Sequence, residues 1–153
     1  MGSQNHTQLA TDEPDAVANL KGMYARFGRD MLELVPQVYA DNIVFQDPVH
    51  RVDGLPALQT YLARTVENTT SCKFDFNAVH CHPEGSAWLE WTMHYAHPRL
   101  ADGKLLTLEG ATNVRFEQKI HYHRDYLDLG GMLYEHVPVI GGAVRWLKRR
   151  MAG

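Results

Sequence analysis

The side chains able to do chemistry in this 153-residue chain are nine histidines, eighteen carboxylates and two cysteines. His80-x-His82 and His121-x-His123 each place two imidazoles on one face of a strand, and His94 lies close to His97. Such pairs hold a metal only when a third ligand, such as a carboxylate, converges on them. His82 abuts the turn Pro83-Glu84-Gly85 and His121 stands near a strand start, so the pairs point to different ends of a sheet. Polar or edge histidines are therefore expected, and no metal. Cys72 and Cys81 have no C-x-x-C spacing and are too few for a thiolate set, so reduced thiols in the cytoplasm are the expectation. Asp47-Pro48 is a common turn element, in which the carboxylate caps a neighbouring amide.

The composition is that of a globular chain: 44% hydrophobic and 22% charged residues, with a net charge of −3. A chain of this length buries a sizeable core without staples. The negative balance argues against nucleic acid as the main partner, because phosphate binding needs a cationic surplus. No apolar run is long enough to cross a bilayer. Residues 1–12 lack periodicity and are expected as a disordered tail. Thr11 or Asp12 can cap a first helix that carries Val17, Leu20, Tyr24 and Phe27 at helical spacing, with Gly28 as its C-cap. A second helix starts near Asp30 and is interrupted or bent at Pro36. Ile43-Val44-Phe45 is a short strand, with Val49–Val52 as its hairpin arm. A third helix runs from Leu55 to about Val66, with Leu58, Tyr61 and Leu62 on one face.

From residue 72 the period changes from helical to alternating. Cys72, Phe74, Phe76 and Ala78 form one row of a strand. On 87–96 the inner row is Ala87, Leu89, Trp91, Met93 and Tyr95; on 105–116 it is Leu106, Leu108, Gly110, Thr112 and Val114. Trp88 and His94 fall on the outer face and suggest a partner surface, most simply a second copy of the sheet. The last strand, Lys119–Tyr126, is ambiguous. Composition points Ile120, Tyr122 and Tyr126 inward, and leaves His121, His123 and Asp125 outside. Helices followed by hairpin-linked strands predict one α+β domain over 13–153, an antiparallel sheet with helices on one side.

The stretches Ile43–Leu58 and Lys119–Asp128, together with this order of elements, resemble the SnoaL-like proteins of the nuclear transport factor 2-like superfamily over about residues 13–135. The resemblance implies a cone: a curved antiparallel sheet wrapped around N-terminal helices, with an apolar internal pocket. It also implies a homodimer through the convex face of the sheet. Within that superfamily, limonene-type epoxide hydrolase carries an acidic Asp in an Arg-Asp-Tyr-Phe-Asp segment, matched here by Arg124-Asp125-Tyr126-Leu127-Asp128. The match turns Asp125 and His123 into the pocket, against the composition of the strand. Phe45 and Asp47 match a Tyr and an Asn of that enzyme's water-binding set. Its Arg-x-Asp pair falls on Trp91 and Met93, so half of that machinery is missing.

Read this way, Asp125 is the candidate acid or base, His123 its tuner and Asp47 a second polar contact near the entrance, followed by His50. Phe45, Phe74, Trp91, Met93, Leu108 and Leu127 would shape the cavity. A carboxylate in an apolar pocket can exchange protons near neutral pH, which suits isomerisation, dehydration or ring closure of a small hydrophobic ligand with no cofactor. The same pocket equally serves a non-catalytic binding or regulatory domain. A third reading rests on the basic amphipathic helix expected at about 138–151: docking over the pocket mouth or sheet edge is favoured, and a membrane surface is the alternative.

Overall fold

The computed structural model describes residues 12–132 and 138–152. The expected tail over 1–12 lies almost entirely outside them, as does Thr11, the first of the two proposed caps. Helix α1 (Asp15–Tyr24) buries Ala16, Val17, Leu20 and Met23, an i, i+4, i+7 stripe on a single face. Its N-cap is Pro14, so Asp12 lies before it. Gly28 does not end α1. It precedes α2 (Arg29–Val38) with φ of 136°, a backbone state open mainly to glycine. α2 runs through Pro36 rather than stopping there. The proline sits in the last turn, where one missing backbone bond is tolerated. β1 (Tyr39–Gln46) and β2 (Arg51–Asp53) form the expected small hairpin, and α3 (Leu55–Asn68) buries Leu58 and Leu62.

Four long strands follow: β3 (Ser71–His82), β4 (Ser86–Ala96), β5 (Leu106–Phe116) and β6 (Ile120–Leu127). The six strands form one curved sheet in the order β2-β1-β6-β5-β4-β3. All neighbouring pairs are antiparallel except β1 and β6, which run parallel, so the sheet is mixed. The chain reaches β6 from β1 only after α3 and four strands, a crossover that allows the parallel pairing. The fold is the expected α+β class.

Two bulges decide which side chains face inward. On β3, Phe76 opposes Trp91 and Ala78 opposes Glu90, so Asn77 is an extra residue. Beyond it Val79 packs on the core and the predicted inward Ala78 does not. On β6, Ile120 opposes Phe116 and Tyr122 opposes Arg115, so His121 is extra. Composition was therefore right for Ile120, which is fully buried, and wrong for Tyr122 and Tyr126. After the bulge His123, Asp125 and Leu127 stand opposite the inward residues Val114, Thr112 and Gly110.

The main core joins Val17, Leu20, Met31, Val35 and Leu58 of the helices to Ile43, Leu89, Val114 and Ile120 of the sheet. Each such side chain contributes about 1.5–3 kcal/mol on burial. A second cluster, Trp91, Met93, Tyr95, Leu100 and Leu108, fills the far half of the sheet. β6 leads into a helical turn, α4 (Leu129–Met132), and α5 (Pro138–Ala152) closes the described chain. No described helix is long and apolar enough to cross a membrane.

Candidate active site

Between the helices and the concave sheet lies a cavity of about 340 Å³. Its walls are mostly apolar and aromatic, with Leu20, Phe27 and Met31 from the helical side and Phe74, Trp91 and Met93 from the sheet. Of the residues expected at the site, Phe45, Asp47, His50, Phe74, Trp91, Met93, His123, Asp125 and Leu127 all line it. Leu108 does not. It is buried in the second cluster with Trp91 and Met93, opposite Met93 on β4.

The polar end of the cavity is built on β6. His123 is only 2% exposed, and the Asp125 side chain 18%. Trp91 Nε1–H, a donor only, gives its hydrogen bond to Thr112 Oγ1 at 2.8 Å. The Thr112 hydroxyl must then donate onward, to Asp125 Oδ1 at 2.5 Å. His123 Nε2 lies 2.8 Å from the same oxygen and donates to it. On the other side of the ring, His123 Nδ1 is 3.0 Å from the Tyr39 hydroxyl, which in turn is 3.4 Å from that of Tyr24. With a neutral imidazole, Tyr24 donates to Tyr39, Tyr39 to His123 Nδ1, and His123 Nε2–H to Asp125. Every group in the row is then satisfied. Both protein bonds to Asp125 fall on Oδ1. Oδ2 has no hydrogen-bond partner among the described residues.

Burial pushes the Tyr24 phenol far above its ordinary value, and the Asp125 charge adds to the shift. Burial does the same for Tyr39, with Tyr24 second. Both are therefore neutral donors across the physiological range. Phe45 stacks obliquely on His123 at 4.6 Å and leads to Tyr61, 5.6 Å from Phe45.

Asp47 plays both parts considered for it. Its Oδ1 accepts the backbone N–H groups of Val49 and His50, each at 2.7 Å, which is the turn role. Its Oδ2 accepts the Tyr61 hydroxyl within the cavity wall. Burial, then the bond to Asp47, raises the Tyr61 phenol. Pro48, Val49 and His50 are exposed lining residues, so this turn forms part of the rim.

Tyr24, Tyr39, Tyr61 and Thr112 belong to the site but were not among the sequence candidates. A hydroxyl inside an apolar row was the available signal for Thr112 and Tyr61. Nothing marked Tyr39, which sits at the junction of α2 and β1. The histidine pairs do not converge: His121 is the bulge residue, whereas His94 bonds Asp75 at 3.1 Å on the other face of the sheet. Among the described residues, no three His, Cys, Asp or Glu side chains are placed to hold a metal ion.

No curated protein matches the sequence. Solved structures share the fold at low identity. An LEH-like epoxide hydrolase from M. tuberculosis superposes with a TM-score of 0.63 at 15% identity, over 76% of this chain and 85% of that one. An NTF2-like protein of unknown function from Burkholderia pseudomallei K96243 gives 0.68 at 15%, over 79% and 96%. A hypothetical protein with a ketosteroid isomerase-like fold from Catenulispora acidiphila DSM 44928, in complex with trimethylamine, gives 0.68 at 14%, over 78% and 90%. The SnoaL-like domain model matches residues 20–123, more than half of the sequence, and the chain belongs to that family.

Proposed function

We propose that this SnoaL-like domain admits a small hydrophobic molecule, of polycyclic, terpenoid or steroid-like shape, and moves a proton on it without a cofactor. The observation that carries the proposal is the state of Asp125. Its Oδ1 is held by His123 and Thr112, and its Oδ2 is left for a guest in a cavity with mostly apolar walls. A volume of about 340 Å³ lies within the ~300–1,000 Å³ range of small-molecule sites. Asp125 takes or returns the proton, and His123, fixed by Tyr39, sets the position and charge balance of the carboxylate. Asp47 and Tyr61 supply a second polar contact at the rim. Isomerisation, dehydration and ring closure all contain such a step. Epoxide hydrolysis through a charged Arg-x-Asp pair is not proposed, because Trp91 and Met93 occupy those positions as buried apolar wall. The same reading includes a cytoplasmic homodimer joined through the outer face of the sheet, where Trp88 stacks near Tyr126 and Arg124 lies over Tyr126.

The test uses a simple bicyclic ketone, 1-tetralone, in D₂O. Proton NMR follows exchange of the hydrogens next to its carbonyl, and line broadening reports binding. The wild type is expected to accelerate exchange, and Asp125→Asn to lose about 100-fold or more of that rate while still binding the ketone. Equal exchange by both proteins would remove Asp125 from the chemistry. Binding by both with no exchange by either would favour the non-catalytic reading.

A further inference from the structure

We propose that α5 docks this protein on an anionic lipid surface. The helix is 15 residues long, about 22 Å at 1.5 Å per residue. That is too short to span a hydrocarbon core of about 30 Å, so it would lie in the interfacial plane. Val144, Leu147 and Met151 fall on one face at i, i+3, i+7. Arg145 and Arg149 fall on the opposite face, one turn apart. Val144 is half-buried, whereas Leu147 is 51% exposed and Met151 81%, so the C-terminal part of this face is open. Trp146 is also exposed, at 55%, and the Arg150 guanidinium lies 5.4 Å over its ring.

Charge decides between the two occupants such a face could take. Arg145, Lys148, Arg149 and Arg150 crowd one turn and a half of a chain whose net charge is −3. Two copies meeting through Leu147 and Met151 would bring together the Arg150 guanidinium groups that flank this face. An anionic bilayer instead complements them, and long basic side chains reach headgroups while their stems stay on apolar surface. The anchoring point adds a spatial link. Lys148 pairs with Asp128, which stands between the cavity-lining residues Leu127 and Leu129. Docking through α5 therefore keeps one wall of the cavity close to the lipid, where hydrophobic molecules partition. The docking itself does not depend on what the cavity does.

The test is flotation of the full chain with vesicles of phosphatidylcholine alone, and with vesicles containing about one-third phosphatidylserine. Binding is expected only to the anionic vesicles, and is expected to weaken in molar salt. Each cation near such a surface is worth roughly a fivefold factor in partitioning, so Arg150→Gln, at the flank of the apolar face, should weaken binding about fivefold. Leu147→Glu with Met151→Glu should abolish it. These positions are exposed, so the urea midpoint should not move and loss of fold is separable from loss of binding. Three results would overturn the proposal: no binding of the wild type to anionic vesicles, undiminished binding by both variants, or a change of subunit count in the variants with vesicle binding intact. The last would make α5 a contact between copies.

Discussion

Gly110→Ala tests the packing that orients the catalytic candidate. Gly110 lies directly across from Trp91 on the concave face. A methyl group there would sit 2.3 Å from Trp91 Cη2, 2.4 Å from Cζ2 and 2.9 Å from Cζ3. Carbon atoms rest at about 3.5–4.0 Å, so the indole must retreat by about 1 Å or more. The ring is 4% exposed and met edge-on by Phe74 at a centroid distance of 5.5 Å, so it can retreat only into the cavity it lines. Retreat also breaks the Trp91–Thr112 hydrogen bond that directs the threonine proton to Asp125. Overpacking of this kind costs about 1–3 kcal/mol, and the lost bond about 1 kcal/mol more. A loss of about 2–4 kcal/mol is expected. With a urea slope of about 2 kcal/mol/M, the unfolding midpoint should fall by roughly 1–2 M at unchanged slope. The same substitution in a Trp91→Leu background meets no ring and should cost less than about 1 kcal/mol, a coupling that a double-mutant cycle reads directly. Equal losses in both backgrounds, or no loss in the first, would refute the reasoning.

Three further outcomes are expected. Tyr39→Phe leaves His123 Nδ1 buried without its donor, which should cost about 1–3 kcal/mol in urea unfolding and shift the ¹⁵N resonance of Nδ1; a loss under about 0.5 kcal/mol would mean that the bond is not made. Stability should decline as the medium becomes alkaline. Burial pushes the Cys72 thiol up from 9.0 to about 12 and raises Tyr24, Tyr39 and Tyr61 above 10.0. The folded chain then holds these protons where the unfolded chain releases them, so stability is complete below pH 9 and falls from there upward. A urea midpoint that is level between pH 9 and 11 would contradict this. Trp88→Lys, placed beside Arg124 and Tyr126 on the outer face, should convert a sedimenting dimer to monomer; a wild type that sediments as a monomer would end the dimer proposal.

Much of the architecture was legible because burial imposes a period. Alternation on β4 and β5 named their inner rows correctly, since both faces of a strand cannot be apolar and solvated at once. The helices were legible from the same cause, apart from their ends, where a glycine can serve either the exit from one helix or the entry to the next. The parallel pairing of β1 with β6 was not legible, because pairing partners distant in sequence leave no local pattern.

The site divides along the same line. Sequence alone could show that His123 and Asp125 share a face, since a period of two requires it. Composition left that face outside, and only the resemblance of Arg124–Asp128 to a known segment turned it inward. In the fold this depends on one extra residue, His121, which resets the alternation after Ile120 and lets an apolar residue and a polar pair both point inward. Sequence alone could not find the hydroxyls that complete the row. Tyr39 reaches His123 across 84 positions of chain, and Thr112 meets Asp125 only because β5 and β6 pair in one register. Residue types and local spacing follow from covalent order. Which of them share a hydrogen bond is decided by packing at long range, and that is a property of the folded chain.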